Sequence, residues 1–156
     1  LRLDYGAIQE KLAAAGKVHP GIKDVSEAVI ALRRERLPDP VLLPNAGSFF
    51  KNPLITAHEY EEIVKRYPQV PAYRQADGQV KVPAGWLIEQ CGWKGKRHGN
   101  VGVHEHHALV LVNYGGATGK QIVELANEIQ QDVQSRFGLS LAFEVNLGSD
   151  TVFPEN

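Results

Sequence analysis

Residues 108–146 read ALVLVNYGGATGKQIVELANEIQQDVQSRFGLSLAFEVN and contain three periodic segments in succession. The apolar run Ala108–Asn113 has the length of a buried strand and is soon followed by a pair of glycines. Thr118 opens a capping-box pattern, and apolar residues then recur at helical spacing until Gly138. Residues 139–146 alternate between apolar and polar, as in a half-buried strand. We predict a βαβ unit, or its split form with another strand between the two.

Four further helices are predicted upstream of this unit, from capping-box patterns or from glycines that end them. They span about residues 7–15, 24–35, 56–67 and 84–91. The helices at 24–35 and 56–67 are each expected to begin at a capping box. Strands are expected at the very start of the chain, in residues 1–5, and at 80–82. This alternation favours an α+β fold, with a small antiparallel or mixed sheet and helices packed on one face.

Composition and charge narrow the class of protein. A chain of 156 residues suits one domain, and its net charge of −1 disfavours nucleic acid or an anionic membrane as a partner. No apolar run approaches the roughly 18 residues that a membrane helix needs. A single cysteine, Cys91, fits a reducing cytoplasm, where we expect the protein to be. The chain contains no methionine, even at position 1, so we predict that it is a fragment of a longer protein.

A polar loop is predicted at residues 44–53, which read PNAGSFFKNP. Its prolines and glycine restrain the backbone, and its two phenylalanines would anchor it. Ser48, Lys51 and Asn52 would then present a hydroxyl, an ammonium and an amide to a ligand. From these residues alone, the loop is equally well explained as a connector whose phenylalanines fill a core.

The loop and several other segments resemble one known family. Asn45–Pro53 is similar to the characteristic loop of the UDP-N-acetylenolpyruvoylglucosamine reductases. Other segments agree with the same family in the same order: RLPDP at 36–40, AGWLIEQCGWKG at 84–95, VHEHHALVLVN at 103–113 and FEV at 143–145. The resemblance covers nearly the whole chain, from Tyr5 to about Leu147.

The resemblance implies an activity and a division of labour. Members of this family use NADPH and FAD to reduce UDP-N-acetylglucosamine enolpyruvate to UDP-N-acetylmuramate during peptidoglycan synthesis. The family carries its FAD-binding domain, with a glycine-rich loop and a catalytic arginine, ahead of this region. The resemblance therefore implies that residues 1–40 follow an absent FAD-binding domain and that residues 41–156 form the C-terminal substrate-binding domain. We expect the isolated chain to be inactive, with that N-terminal FAD domain as its partner.

Two catalytic residues follow from the resemblance. Ser48 matches the proton donor to the carbanion that forms when hydride reaches the enolpyruvyl group. Glu144 matches the residue that assists at the substrate carboxylate. A carboxyl group helps there only if it is protonated and donating, or if the absent arginine balances its charge.

The same resemblance implies a set of substrate-binding residues, and none for a cofactor or metal in this chain. These residues are Tyr5, Arg36, Asn52, Tyr73 and His107. Tyr5 aligns with a tyrosine that closes over the diphosphate, and Arg36 stands where relatives can have lysine. His107 stands where some relatives have a glutamine, at the position of a uridine-side contact.

The histidines of this region suggest a metal at first sight. His98, His104, His106 and His107 lie close in sequence, but they lack the spacing and the completing ligands of a metal site. We therefore expect no metal. Two functions stay open from the sequence: half of a flavin-dependent reductase, or a non-catalytic domain that binds a UDP-sugar or docks to a partner.

Overall fold

The computed structural model describes residues 6–17, 19–36 and 38–148, with the backbone alone for residues 33–36. It divides the chain into two compact units, residues 1–42 and 43–156. The first unit contains two helices that contact each other, α1 (Gly6–Ala14) and α2 (Ile22–Arg36). The strand expected at residues 1–5 lies outside the described residues.

Helix α2 begins earlier than its sequence pattern predicts. It starts at Ile22, so Asp24 lies inside the first turn and does not cap the helix. The carboxylate of Asp24 accepts a hydrogen bond from the Gly21 N–H at 2.9 Å and pairs with Lys17 Nζ at 2.8 Å. The predicted capping box opening at Asp24 is therefore wrong, because this side chain reaches back to the residue that precedes the helix.

The second unit contains the remaining helices and all the strands of the described residues. They are β1 (Asn45–Ser48), β2 (Leu54–Ile55), α3 (Ala57–Arg66), β3 (Tyr73–Arg74), β4 (Val80–Lys81), α4 (Ala84–Gln90), β5 (Arg97–His98), β6 (Val101–Val103), β7 (Val110–Asn113) and α5 (Gly119–Phe137). Two sheets form, with strand orders β1-β7-β6-β5 and β2-β4-β3, and every strand pairing is antiparallel. The α+β prediction is confirmed, with two small sheets in place of one.

Both capping boxes predicted in the second unit are confirmed. The Thr56 hydroxyl accepts from the backbone N–H of Glu59 at the start of α3, and the Glu59 carboxylate accepts from the Thr56 N–H. Thr118 and Gln121 form the same reciprocal pair at the start of α5. Helix α5 ends as predicted at Gly138, whose φ of +73° lies in the left-handed region that favours glycine.

The segment after α5 differs from its prediction. Residues 139–146 alternate in burial, but they form only one isolated bridge, between Phe143 and Phe50. The carbonyl of Leu141 accepts a hydrogen bond at 2.6 Å from the Gln130 side chain of α5. Strand β7 and this segment both run antiparallel to the chain at 45–50, which lies between them. They are therefore parallel to each other, as in the predicted split βαβ unit.

A continuous hydrophobic core fills the second unit. Helix α5 packs on α4, β6 and β7 and buries one apolar stripe against them. The largest fully buried side chains of the described residues are Phe50, Leu87, Ile88, Ile129, Val80, Val82, Val103, Val110, Val112 and Val133. Across the described ranges, none of the helices has the length and apolar character needed to cross a bilayer.

Candidate active site

Three distant segments meet at Phe49, directly after Ser48. The Phe49 N–H donates to the carbonyl of Leu109 at 2.8 Å, and its carbonyl accepts from the Glu144 N–H at 2.9 Å. The Lys51 N–H extends the second contact by donating to the carbonyl of Ala142 at 2.8 Å. The polar loop is therefore held on one side by the chain that leads into β7 and on the other by the chain after α5.

Aromatic packing fixes this junction from within. The Phe49 and Phe50 side chains are buried, with 4% and 2% of their surfaces exposed. Their ring centroids lie 5.3 and 5.7 Å from that of Phe143, in edge-on and tilted arrangements that aromatic pairs favour. The two phenylalanines of the loop therefore enter the core, while Ser48, Lys51 and Asn52 are exposed.

A shift of register in β1 sets the position of Ser48. Asn45 lies opposite Val112 and Ser48 opposite Val110, so β1 uses one more residue than β7 over this interval. The extra residue is accommodated at Gly47, whose φ is +75° and whose N–H donates to Asn45 Oδ1 at 3.0 Å. Irregularities of this kind re-aim a side chain, and here they place the serine at the end of the strand.

Ser48 and Glu144 lie on neighbouring segments and are both exposed. Ser48 precedes the residue whose carbonyl accepts the Glu144 N–H, so one backbone hydrogen bond joins Glu144 to the residue next to Ser48. Within residues 6–17, 19–36 and 38–148, no hydrogen bond or ion pair occupies the Ser48 hydroxyl or the Glu144 carboxylate. Both groups are therefore available to a ligand at this edge.

His107 lies in the turn that enters β7. The Val110 N–H donates to the His107 carbonyl at 3.0 Å, and Val110 is the residue opposite Ser48 in the sheet. The His107 side chain is half-buried. The register of β1 against β7 therefore brings this turn beside the serine end of the loop.

Asn52 has a structural role that the sequence does not predict. Its Oδ1 accepts a hydrogen bond from the Ala84 N–H at 2.8 Å, at the first residue of α4. The residue before α4 is Pro83, which provides no side-chain cap, so Asn52 satisfies this helix terminus from a distant segment. The amide nitrogen of Asn52 takes no part in this cap.

Substituting Asn52 separates these two functions. Asn52→Ala is expected to lower the free energy of unfolding by about 1 kcal/mol, because the first N–H of α4 loses its acceptor. Asn52→Asp keeps an acceptor oxygen and should unfold within a few tenths of a kcal/mol of the wild type, on the order of other retained caps. Urea denaturation of the two variants measures the difference, and equal stability of Asn52→Ala and wild type would contradict the capping role.

Tyr73 lies on the second sheet beside a cation that the sequence patterns do not single out. Lys81 of β4 pairs with Leu54 of β2 on one side and with Tyr73 of β3 on the other. Paired residues of antiparallel strands point to the same face, so these three side chains form one row. Leu54 and Tyr73 are 51% and 62% exposed. In the sequence, Lys81 is marked only as a polar residue between two valines, a pattern typical of a half-buried strand. Both valines, Val80 and Val82, are fully buried.

The other predicted residues add little to this geometry. Tyr5 lies outside the described residues, and Arg36 is the last residue of α2, with its side chain outside them. Cys91, at the end of α4, is half-buried, and burial raises the pKa of its thiol above the usual range. A thiol with a raised pKa is a poor nucleophile, so we assign Cys91 a structural role and not a catalytic one.

The helix termini of the second unit do not fit the pyrophosphate of FAD. Such a site needs free N–H groups at a helix start that follows a glycine-rich loop. Helices α3 and α5 begin at their own capping boxes, and Asn52 accepts the first N–H of α4. The described residues of this unit therefore provide no cradle for the flavin pyrophosphate.

Comparison with known proteins identifies the family. The family model for the C-terminal domain of UDP-N-acetylenolpyruvoylglucosamine reductase matches residues 39–148. The reductase from Pseudomonas aeruginosa is 54% identical over 147 residues, which cover 94% of this chain and 43% of that protein. The reductase from Chromobacterium violaceum is 54% identical over 141 residues, 90% of this chain and 41% of that protein.

One solved structure is similar to part of this chain. The chain is 27% identical to UDP-N-acetylenolpyruvylglucosamine reductase from Thermus caldophilus, with a TM-score of 0.44 over 80% of this chain and 34% of that one. The chain spans less than half the length of the curated relatives described above. The family model and the relatives together show that this chain belongs to the UDP-N-acetylenolpyruvoylglucosamine reductase family, whose C-terminal domain it contains.

Proposed function

We propose that this chain is the substrate-binding part of a reductase that converts UDP-N-acetylglucosamine enolpyruvate to UDP-N-acetylmuramate, with NADPH as reductant. The observation that carries the proposal is the junction at Phe49, where one backbone hydrogen bond links the segments of Ser48 and Glu144. Family membership supports the reaction type. FAD is held mainly by a preceding domain outside this chain, and the complete enzyme works in the cytoplasm.

Ser48 acts as the proton donor. When bound, reduced FAD would supply the hydride for the terminal carbon of the enolpyruvyl group, and the neighbouring carbon, beside the carboxylate, would then need a proton. The Ser48 hydroxyl then gives its proton to that carbon. A serine is a weak acid, so the step requires a strongly basic carbon held within hydrogen-bond reach. The Ser48 hydroxyl is exposed and has no partner among the described residues, which supports its availability to such a carbon.

Glu144 assists at the substrate carboxylate. Its backbone is fixed by the hydrogen bond to the carbonyl of Phe49 and by the neighbouring bridge between Phe143 and Phe50. A carboxyl group beside a carboxylate stabilises growing negative charge only as a protonated donor, or when a cation is shared. We assign the cation to the arginine of the preceding domain.

Polar residues around the loop hold the nucleotide sugar. The free amide nitrogen of Asn52 and the ammonium of Lys81 suit the diphosphate oxygens, as donors that carry no negative charge. Tyr73 shares the face of Lys81, and His107 lies at the opposite end of the loop near Ser48. Tyr5 and Arg36 complete the proposed set.

The proposal is tested by comparing this chain with the complete enzyme. The purified chain is expected to show no visible flavin absorption and no oxidation of NADPH. The complete protein is expected to be yellow and to oxidise NADPH when UDP-N-acetylglucosamine enolpyruvate is added. A complete protein that binds flavin but does not respond to this substrate would overturn the proposal. Binding of flavin by the chain alone would overturn the assignment of FAD binding to the preceding domain.

A further inference from the structure

Three histidines form a cluster in the connection between β6 and β7. The His104 and His107 rings stack nearly parallel, with centroids 5.5 Å apart and planes inclined by 13°. The His106 ring meets His104 edge-on at 5.7 Å. His104 and His107 are half-buried, whereas His106 is exposed. His104 is therefore the member that contacts both of the others.

A hydrogen bond requires His104 to be neutral. Its Nδ1 accepts from the backbone N–H of His106 at 3.2 Å, which is possible only when Nδ1 carries no proton. The His104 N–H itself donates to the carbonyl of Val110 at 2.9 Å. His104 thus holds the turn at two points. Its backbone N–H bonds Val110 at the base of the turn, and its neutral ring accepts from the His106 N–H nearer the tip.

The charged groups around His104 oppose its protonation on balance. Burial lowers the pKa of His104 most, His107 and His106 lower it further, and Glu105 raises it in part. From the adjacent 93–96 turn, Lys94 pairs with Glu89 at 2.9 Å and Lys96 lies 3.9 Å from the centre of the Trp93 ring. Val110 and Leu109, on the strand side, are apolar. Glu105 itself lies 3.5 Å from the exposed His106.

The sign of the pH dependence follows from these contacts. A histidine whose pKa is lowered by folding contributes stability above its ordinary pKa of about 6.5, and this stability is lost as the pH falls through the lowered value. On protonation, His104 loses Nδ1 as an acceptor and repels the other two histidines when they are charged. Protonation would therefore remove the hydrogen bond between His104 and the backbone of His106, in the turn that carries His107.

We propose that His104 is a positioning residue that, in its neutral form, holds His107 in place for the nucleotide sugar, so that acid weakens substrate binding without affecting the chemical step. This inference rests on the proposed function, in which His107 contacts the substrate. The link to the site is the strand register: His107 lies in the turn closed by Val110, and Val110 lies opposite Ser48.

Variants at His104 test the inference in the complete enzyme. His104→Asn keeps an acceptor oxygen near the position of Nδ1 but cannot titrate, and His104→Gln places its amide too far along the side chain to replace Nδ1. KM and kcat for UDP-N-acetylglucosamine enolpyruvate are measured at about pH 7.5 and about pH 5, on either side of the histidine range. His106→Gln, at the exposed member, is the matched control.

The expected results separate binding from chemistry. In the wild type and in His106→Gln, KM should rise on acidification by roughly three- to tenfold more than in His104→Asn, the scale of one lost hydrogen bond. His104→Gln should have a raised KM at both pH values, with kcat unchanged throughout. An equal acid response of wild type and His104→Asn, or a wild-type KM for His104→Gln at neutral pH, would overturn the inference.

Nuclear magnetic resonance of the histidine nitrogens separates this inference from the proposed function. In the 156-residue chain, His104 should carry its proton on Nε2, and the His107 resonances should shift as His104 titrates. The His107 shift at that titration should disappear in His104→Asn. A titration without this coupling overturns the positioning role even in an active enzyme. No turnover at any pH, with the coupling present, overturns the proposed function and the binding role that rests on it.

Discussion

Replacing Ser48 with alanine is expected to lower turnover of UDP-N-acetylglucosamine enolpyruvate by about 10²–10⁴-fold in the complete enzyme, the usual contribution of a general acid. Reduction of the flavin by NADPH should remain unchanged, because that half-reaction needs no proton from Ser48. Stopped-flow measurement of flavin reduction and reoxidation distinguishes the two steps. Since the hydroxyl has no partner among the described residues, its removal should leave folding intact.

Ser135→Ala is the matched control for this experiment. Ser135 is an exposed serine of α5, and its loss should change neither half-reaction. Reoxidation of the flavin by substrate at the wild-type rate in Ser48→Ala would remove Ser48 from the mechanism. Slowing of both half-reactions together would instead indicate a general disturbance of the loop.

Replacing Phe49 with alanine is expected to lower the free energy of unfolding by about 3–5 kcal/mol, as for other buried phenylalanines. The ring is 4% exposed and contacts the rings of Phe50 and Phe143, so its removal leaves a cavity where the three segments meet. Urea denaturation of the chain measures the loss. A change below about 1 kcal/mol would show that the junction does not depend on this ring.

Milder substitutions separate stability from function at the same junction. Phe49→Leu keeps most of the apolar volume and should remain folded with a smaller loss of stability. Phe137→Leu, at an equally buried ring of α5, provides a control of similar cost. Only Phe49→Leu is expected to reduce substrate turnover, because the Phe49 ring packs on Phe143 beneath the junction of the Ser48 and Glu144 segments. The Phe137 ring packs on Tyr67 and Trp86 instead. Equal turnover in the two variants would argue against a role of this junction in the site.

The parts of the fold that depend on local chemistry can be predicted from the sequence. Thr56 and Thr118 begin helices because each forms a reciprocal pair with the residue three positions later. The threonine hydroxyl accepts from the backbone N–H of that residue, whose side chain accepts from the backbone N–H of the threonine. The helix stop at Gly138 and the apolar stripe of α5 are local in the same sense. Ser48 and Glu144 are assigned by resemblance to a family, and the structure brings their backbones together.

The features that escape prediction depend on distant partners. The chain after α5 alternates in burial like a strand, but it forms only an isolated bridge, between Phe143 and the distant Phe50. Asn52 caps a helix that begins 32 residues later, which no local pattern reveals. Asp24 is a local exception, since its carboxylate accepts from Gly21, three residues earlier. Lys81 becomes a site candidate only when the pairing of β4 with Leu54 and Tyr73 is known.

The position of Phe49 between two partners has a consequence for how this unit folds. Its hydrogen bonds join residues 49, 109 and 144, so they close loops that span most of the second unit. Contacts between residues so far apart in the sequence form late in folding, because the entropy cost of closing the loops must be overcome before these contacts stabilise the fold. A ligand that binds only where these segments meet recognises chains that have completed folding and draws the equilibrium toward them. The substrate of such a site would bind only fully folded enzyme, because partly folded chains lack the place where the three segments meet.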